Sequence, residues 1–227
     1  MTLRKKRLPS SRPGQSSSFG GYAGIEDLPL YVSDTYGEDY QLTDSIFLDR
    51  VNDFPQSIFE KSANNCTLTS LTRVLLFMRE DYYPTVPANA QAIYEVVRDV
   101  FLTYGYDPKK IRSIRSRLRY GPWNIDRMCR DVLRAYGCDK PVVNNHYFFK
   151  RSSILSELRK NRPVLLNISF GDYANHTVTV VGCRIYHKEG AADRLFLAVY
   201  DGWARRLRYL DWHVFGLTPA SVTVFAS

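Results

Sequence analysis

Asn64-Asn65-Cys66-Thr67-Leu68-Thr69-Ser70-Leu71-Thr72-Arg73-Val74-Leu75-Leu76 carries a polar opening into an apolar run. Leu68, Leu71, Leu75 and Met78 recur at i, i+3, i+7 and i+10, the spacing of a helix with a face on a core. Cys66 then stands at the mouth of that helix, where partial positive charge and free N–H groups stabilise a thiolate. The plain alternative is a small core residue. Cys129, on the apolar face of a predicted helix, and Cys183, within a predicted strand, both fit that description, and Cys138 follows a turn glycine.

Working outward, two helices repeat one pattern. Ile93, Val96, Val97, Val100, Phe101 and Tyr104 share a face, as do Ile125, Met128, Cys129, Val132, Leu133 and Tyr136. Each run ends in Tyr-Gly-x-Asp, with Gly105 and Gly137 suited to the left-handed position after a helix. Convergent helix stops explain this more simply than a duplication. After a short helix around Ile154, Leu155 and Leu158 the period changes to two. Pro163–Ser169, His176–Tyr186, Leu195–Asp201, Leu207–Trp212 and Ser221–Phe225 read as strands. Helices followed by an antiparallel sheet predict an α+β fold. Cys66, His176 opening one strand and Asp201 closing the next are, in that order, the parts of a thiol-dependent acyl-transfer site. Trp203 is placed to shield a His–Asp hydrogen bond, or to fill core. His146, His187 and His213 sit beside aromatic or charged neighbours and read as packing or surface histidines.

Cys66-Thr67-Leu68-Thr69-Ser70-Leu71 resembles the nucleophile helix of papain-like cysteine peptidases. The likeness is to the bacterial group related to double-glycine-leader peptidases, which carry a similar Cys-x-x-Thr-Ser-Leu segment. Arg162-Pro163-Val164-Leu165-Leu166 is similar to that group's x-Pro-Val strand, His176 to Gly182 to its His strand, and Asp201 to its acid. The resemblance spans roughly residues 50 to 212, dense only in these short blocks. It implies a papain-like α+β domain over residues 22–227, the nucleophile helix packed on a C-terminal antiparallel sheet. It also implies a peptidase or amide hydrolase using Cys66, His176 and Asp201 on a peptide or protein substrate, without metal or cofactor. One position departs from the pattern: six residues before Cys66, where the family has an oxyanion-binding Gln, stands Glu60, whose carboxylate would repel the developing charge. Gln56 is the expected substitute, with Asn65 and Asn64 as further amide donors. A silent papain-like domain that binds peptides is the alternative.

The chain has 227 residues and 44% hydrophobic content, enough for one domain with a sizeable core. No segment approaches a membrane span. The basic N-terminus lacks an apolar stretch, so it does not read as a secretory signal. Four cysteines without CxxC or metal spacing suit a reducing, cytoplasmic setting. Residues 1–21 form a basic Ser/Gly/Pro tail expected to be disordered. Residues 21–60 hold nine acids against Arg50 alone, and the body beyond is basic. That asymmetry suggests an irregular acidic strap lying across a basic body, or simply solvated charge of both signs. A basic helix after Asp107-Pro108, with Lys109, Lys110, Arg112, Arg115, Arg117 and Arg119, suits nucleic acid, an acidic partner or, more simply, a solvated face. No nucleic-acid signature accompanies it.

Overall fold

The computed structural model describes residues 23–61, 64–108, 124–148, 150–169, 173, 175–216 and 219–226. The basic tail and nearly all of the basic helix after Asp107-Pro108 lie outside the described residues. Among those described, the fold is α+β, with six α-helices and an open antiparallel seven-stranded sheet. None of these helices is long and apolar enough to cross a membrane.

The elements are α1 (Leu28–Tyr36), β1 (Gln41–Phe47), α2 (Cys66–Met78), α3 (Ala90–Thr103), α4 (Ile125–Ala135), β2 (Val142–His146) and α5 (Lys150–Arg159). Then come β3 (Val164–Ile168), β4 (His176–His187), β5 (Arg194–Tyr200), β6 (Arg208–Asp211), α6 (Trp212–Phe215) and β7 (Ala220–Ala226). Strand order is β2-β7-β3-β4-β5-β6. Long β4 is the hinge of this sheet. One edge pairs with β3 from His176 to Val180 and with β1 from Gly182 to His187, while the other pairs with β5. Five strands and the helix at Cys66 lie within a residue or two of where the sequence pattern puts them. Both Tyr-Gly stops form as expected. Gly105 and Gly137 take φ of 79° and 81°, and the next N–H groups, of Tyr106 and Cys138, return to Phe101 and Leu133.

The acidic segment is not irregular, and this corrects the sequence expectation. Asp27 accepts from the Leu30 N–H and caps α1, which buries Leu28, Tyr31 and Val32. Strand β1 escapes pattern reading because almost all its side chains are exposed, so no alternation marks it. The segment does lie across the body. Ile25 bridges Tyr209, Glu26 reaches Arg206 and Arg208, and Lys188 reaches Asp39. Exposed pairs such as Lys188–Asp39 contribute little, so the buried Ile25, Leu28, Tyr31 and Val32 do most of the holding.

Helix α2 is the centre of the core. Every residue from Cys66 to Met78 except Leu76 is buried, with β3 and β4 against it and α3 packed on it as well. Where β1 closes on β4, Gly182 is required by space. A Cβ there would collide with the Ile46 carbonyl oxygen and press on Phe47. Gly182→Ala should therefore destabilise the protein by about 1–3 kcal/mol, the usual range for overpacking. Urea denaturation of the two proteins measures it.

Candidate functional site

Cys66 is the first residue of α2, and its preceding Asn65 does not cap the helix with its side chain. The Asn65 amide instead donates to the Gln56 carbonyl and to the Tyr94 hydroxyl, both at 3.1 Å. His176 is the first residue of β4, facing Cys66 across the helix–sheet seam, near enough for each to shift the other's titration. Both are buried, with 9% and 6% of their surface exposed.

Electrostatics decides what the pair is. Burial pushes the Cys66 thiol up, but the His176 charge and hydrogen bond, the Thr177 N–H and the Thr67 hydroxyl outweigh it and hold the thiol below its ordinary value. Burial pushes His176 down, but the Cys66 thiolate, the charge of Asp201 and the Asp201 carbonyl hold the imidazole above its ordinary value. Each shift depends on the partner being charged. Each group therefore favours the charged form of the other.

The ring is aimed from behind. His176 Nε2 lies 2.7 Å from the Asp201 main-chain carbonyl oxygen. A carbonyl only accepts, so Nε2 carries the proton and Nδ1 is left for the thiol. This differs from the expectation that the Asp201 carboxylate would accept from the ring. That carboxylate is fully buried and taken elsewhere. Its Oδ2 accepts from Arg208 Nη1 at 2.6 Å and Tyr173 hydroxyl at 3.0 Å, and Oδ1 from the Trp203 N–H at 3.0 Å. Trp203 stacks on His176, ring centres 4.3 Å apart and 20° from parallel, and Tyr173 meets the same ring edge-on. Trp203 thus covers the imidazole face, although the carboxylate–ring bond it was expected to shield is not formed.

Gln56 opens a short 3₁₀ turn (Gln56–Ile58). Its N–H donates to Gly202 at 2.7 Å, and its Oε1 is buried without a hydrogen-bond partner among the described residues. Gln56 is therefore fixed between the acid loop and the helix mouth. Asn65 is close by but its two amide protons bond Gln56 and Tyr94, so it braces the mouth rather than offering a donor to a ligand. Glu60 Oε1 accepts from the Tyr94 hydroxyl at 3.2 Å. The other three histidines stand elsewhere. His146 ends β2, His187 ends β4 in a pair with Asp193, and His213 lies in α6 edge-on to Tyr36.

Several site neighbours were not singled out by the sequence reading. Arg73 is wholly buried within α2; it donates to the Asn52 and Phe54 carbonyls and to the Thr179 hydroxyl. Burial lowers it to about 10, so it stays charged at neutral pH. Tyr106 donates to the Asn64 carbonyl, and burial together with nearby Cys66 holds its phenol neutral. The helix spacing of Cys66, Ser70 and Arg73, i, i+4 and i+7, was the available hint. Among the described residues no group of three or more His, Cys, Asp or Glu is placed to hold a metal ion.

No family model, curated protein or solved structure matches the chain. The site therefore has to be judged on its own geometry. If Asn65 is a brace, Asn65→Ala should lower stability by about 1–3 kcal/mol, because it removes two hydrogen bonds and leaves the Tyr94 hydroxyl without its donor, while the Gln56 carbonyl keeps the Phe59 N–H. Urea denaturation checks this, with the parent protein alongside.

Proposed function

We propose that this protein is a cysteine peptidase, or a related amide hydrolase, of papain-like type. The observation that carries the proposal is the burial of Cys66 against His176 where the mouth of α2 meets the start of β4, each drawn toward its charged form by the other. A thiol lowered beside an imidazole raised is the arrangement that nucleophilic catalysis uses, and shifted titration of such a pair is common at functional sites.

In this reading the Cys66 thiolate attacks the carbonyl carbon of a peptide or protein amide. The developing oxyanion is met by the Cys66 N–H and the Gln56 side-chain amide. His176 passes its proton to the leaving nitrogen, the C–N bond breaks, and a thioester remains. Water, deprotonated by His176, attacks the thioester and releases the acid and the thiol. Asp201 acts through its carbonyl, which holds the ring with Nδ1 toward sulfur. Transfer of the acyl group to another amine would use the same parts. All four cysteines are free thiols, and a reducing, cytoplasmic location would keep Cys66 nucleophilic. One observation favours the second reading, a silent domain that binds peptides: the sulfur has little open surface for a substrate.

Thiol reactivity separates the two. Iodoacetamide, followed by mass spectrometry across pH, should alkylate Cys66 before Cys138, with a rise well below the ordinary thiol value of about 8.5. His176→Ala should return Cys66 to ordinary thiol behaviour. Equal rates at Cys66 and Cys138 in the parent would sink the hydrolase reading.

Turnover, once a substrate is in hand, should follow a bell in pH. Its acid limb is set by the lowered Cys66 thiol and its alkaline limb by the raised His176, since only the charged pair reacts. Gln56→Ala should lower kcat by roughly 10²-fold, the common cost of one oxyanion donor. Unchanged turnover would leave the backbone N–H as the working donor.

A further inference from the structure

We propose that Arg208, steadied by Glu26, is a positioning residue that aims His176 by fixing the peptide group of Asp201. The inference rests on the thiol-hydrolase reading above and adds a role that the site's three expected residues do not supply.

The geometry runs in one line. Asp201 follows the last residue of β5, and Gly202 turns the chain sharply with φ of 77°. Nothing in a strand end by itself directs a carbonyl at a ring on β4. The direction comes from the Asp201 side chain, whose two oxygens are held from different sides. Trp203 N–H holds Oδ1, while Arg208 Nη1 and the Tyr173 hydroxyl hold Oδ2. Arg208 itself is buried on β6, opposite Val199 of β5, so its base is fixed by the sheet. Its second prong, Nη2, reaches Glu26 Oε1 at 3.2 Å. Glu26 is held in turn by the backbone bridge between Ile25 and Tyr209. A planar guanidinium gripped at both ends has little freedom to rotate, and Lys lacks that fork.

Charge compensation of a buried aspartate is the competing role, and the two predict opposite signs. The charged or titratable groups acting on Asp201 are His176, Tyr173, Arg208 and, through space, Arg73 and Asp53. If Arg208 only neutralises Asp201, removing it leaves an uncompensated negative charge beside His176. The imidazolium then holds its proton to higher pH. If Arg208 positions Asp201, removing it loosens the carbonyl–Nε2 bond, and the imidazolium loses its proton at lower pH while the thiolate forms at higher pH.

The test uses the full chain and its Arg208→Met, Arg208→Lys and Glu26→Gln variants, with folding checked by thermal melting. Iodoacetamide alkylation of Cys66 is followed across pH for the acid limb, and the His176 imidazole is titrated by NMR for the alkaline limb. In Arg208→Met the acid limb should move up by about one unit, slowing alkylation below it about tenfold, and the alkaline limb should move down. Arg208→Lys should restore only part of the shift, and Glu26→Gln should move both limbs the same way by less. If Arg208→Met fails to fold, the Glu26→Gln shift decides. Folded variants with parental limbs, an alkaline limb that moves up, or full rescue by Lys would each overturn the positioning role. A parent protein with ordinary Cys66 reactivity would instead overturn the hydrolase reading and this inference with it.

Discussion

The seam between helix α2 and strand β4 is the constraint on which the rest of the structure depends. It is polar where a helix–sheet contact is ordinarily apolar. Cys66 meets His176, the Thr67 and Thr177 hydroxyls share a hydrogen bond of 2.9 Å, Ser70 donates to the Thr177 carbonyl, and Arg73 donates to Thr179. Each bond ties one turn of the helix to successive residues of the strand, so sliding or rotating α2 would break several at once. Leu68, Leu71, Leu75 and Met78 bury apolar area that drives the helix inward. That force is non-directional, whereas hydrogen bonds with geometry fix rotation and register. The position of the sulfur relative to the imidazole is inherited from that register.

Behind β4 the polar seam continues sideways through the sheet. Thr177 donates to Asn167 on β3, whose amide donates to Ser221 and Thr223 on β7. Buried side chains of this kind are costly when half satisfied and rigid when satisfied. Here they lock the strand that carries His176 to its neighbours on the side away from β5. Arg73 closes the other direction by fastening the Asn52–Phe54 segment, which leads into Gln56. Cys66, His176 and the Gln56 backbone are thus referred to one rigid frame, which is what the proposed chemistry would need.

Much of this frame was legible in the sequence, for identifiable reasons. Helix stops at Gly105 and Gly137 are local backbone requirements, so their residues announce them. Strands β3, β4 and β5 are buried and β-branched, so they stand out as apolar runs. Strand β1 gives no such signal, because its backbone pairing with β4 sets it while its side chains stay in solvent. Cys66, His176 and Asp201 could be picked because each sits at an element end in a telling order. The switch from carboxylate to carbonyl at Asp201 could not be, since it depends on Arg208 and Tyr173 arriving from other parts of the chain. Arg73 was hidden for a similar reason. A lone cation in an apolar helix is interpretable only once the carbonyls that receive it are in place.

On the proposed hydrolase reading, the use of a carbonyl rather than a carboxylate behind His176 has a chemical consequence. A general acid must hold its proton before the leaving group needs it and then release it. An imidazolium between a thiolate and a directly bonded, uncompensated carboxylate would hold its proton too firmly for that second act. The carbonyl supplies direction with only a partial charge, while the Asp201 carboxylate, shared with Arg208, acts at one remove. The Asp201 charge that helps raise the imidazole is therefore present but muted by a buried cation. In this arrangement one residue serves two ends: its side chain anchors the loop, and its main chain points the ring. Separating those duties lets the ring be held rigidly without being over-stabilised in its charged form.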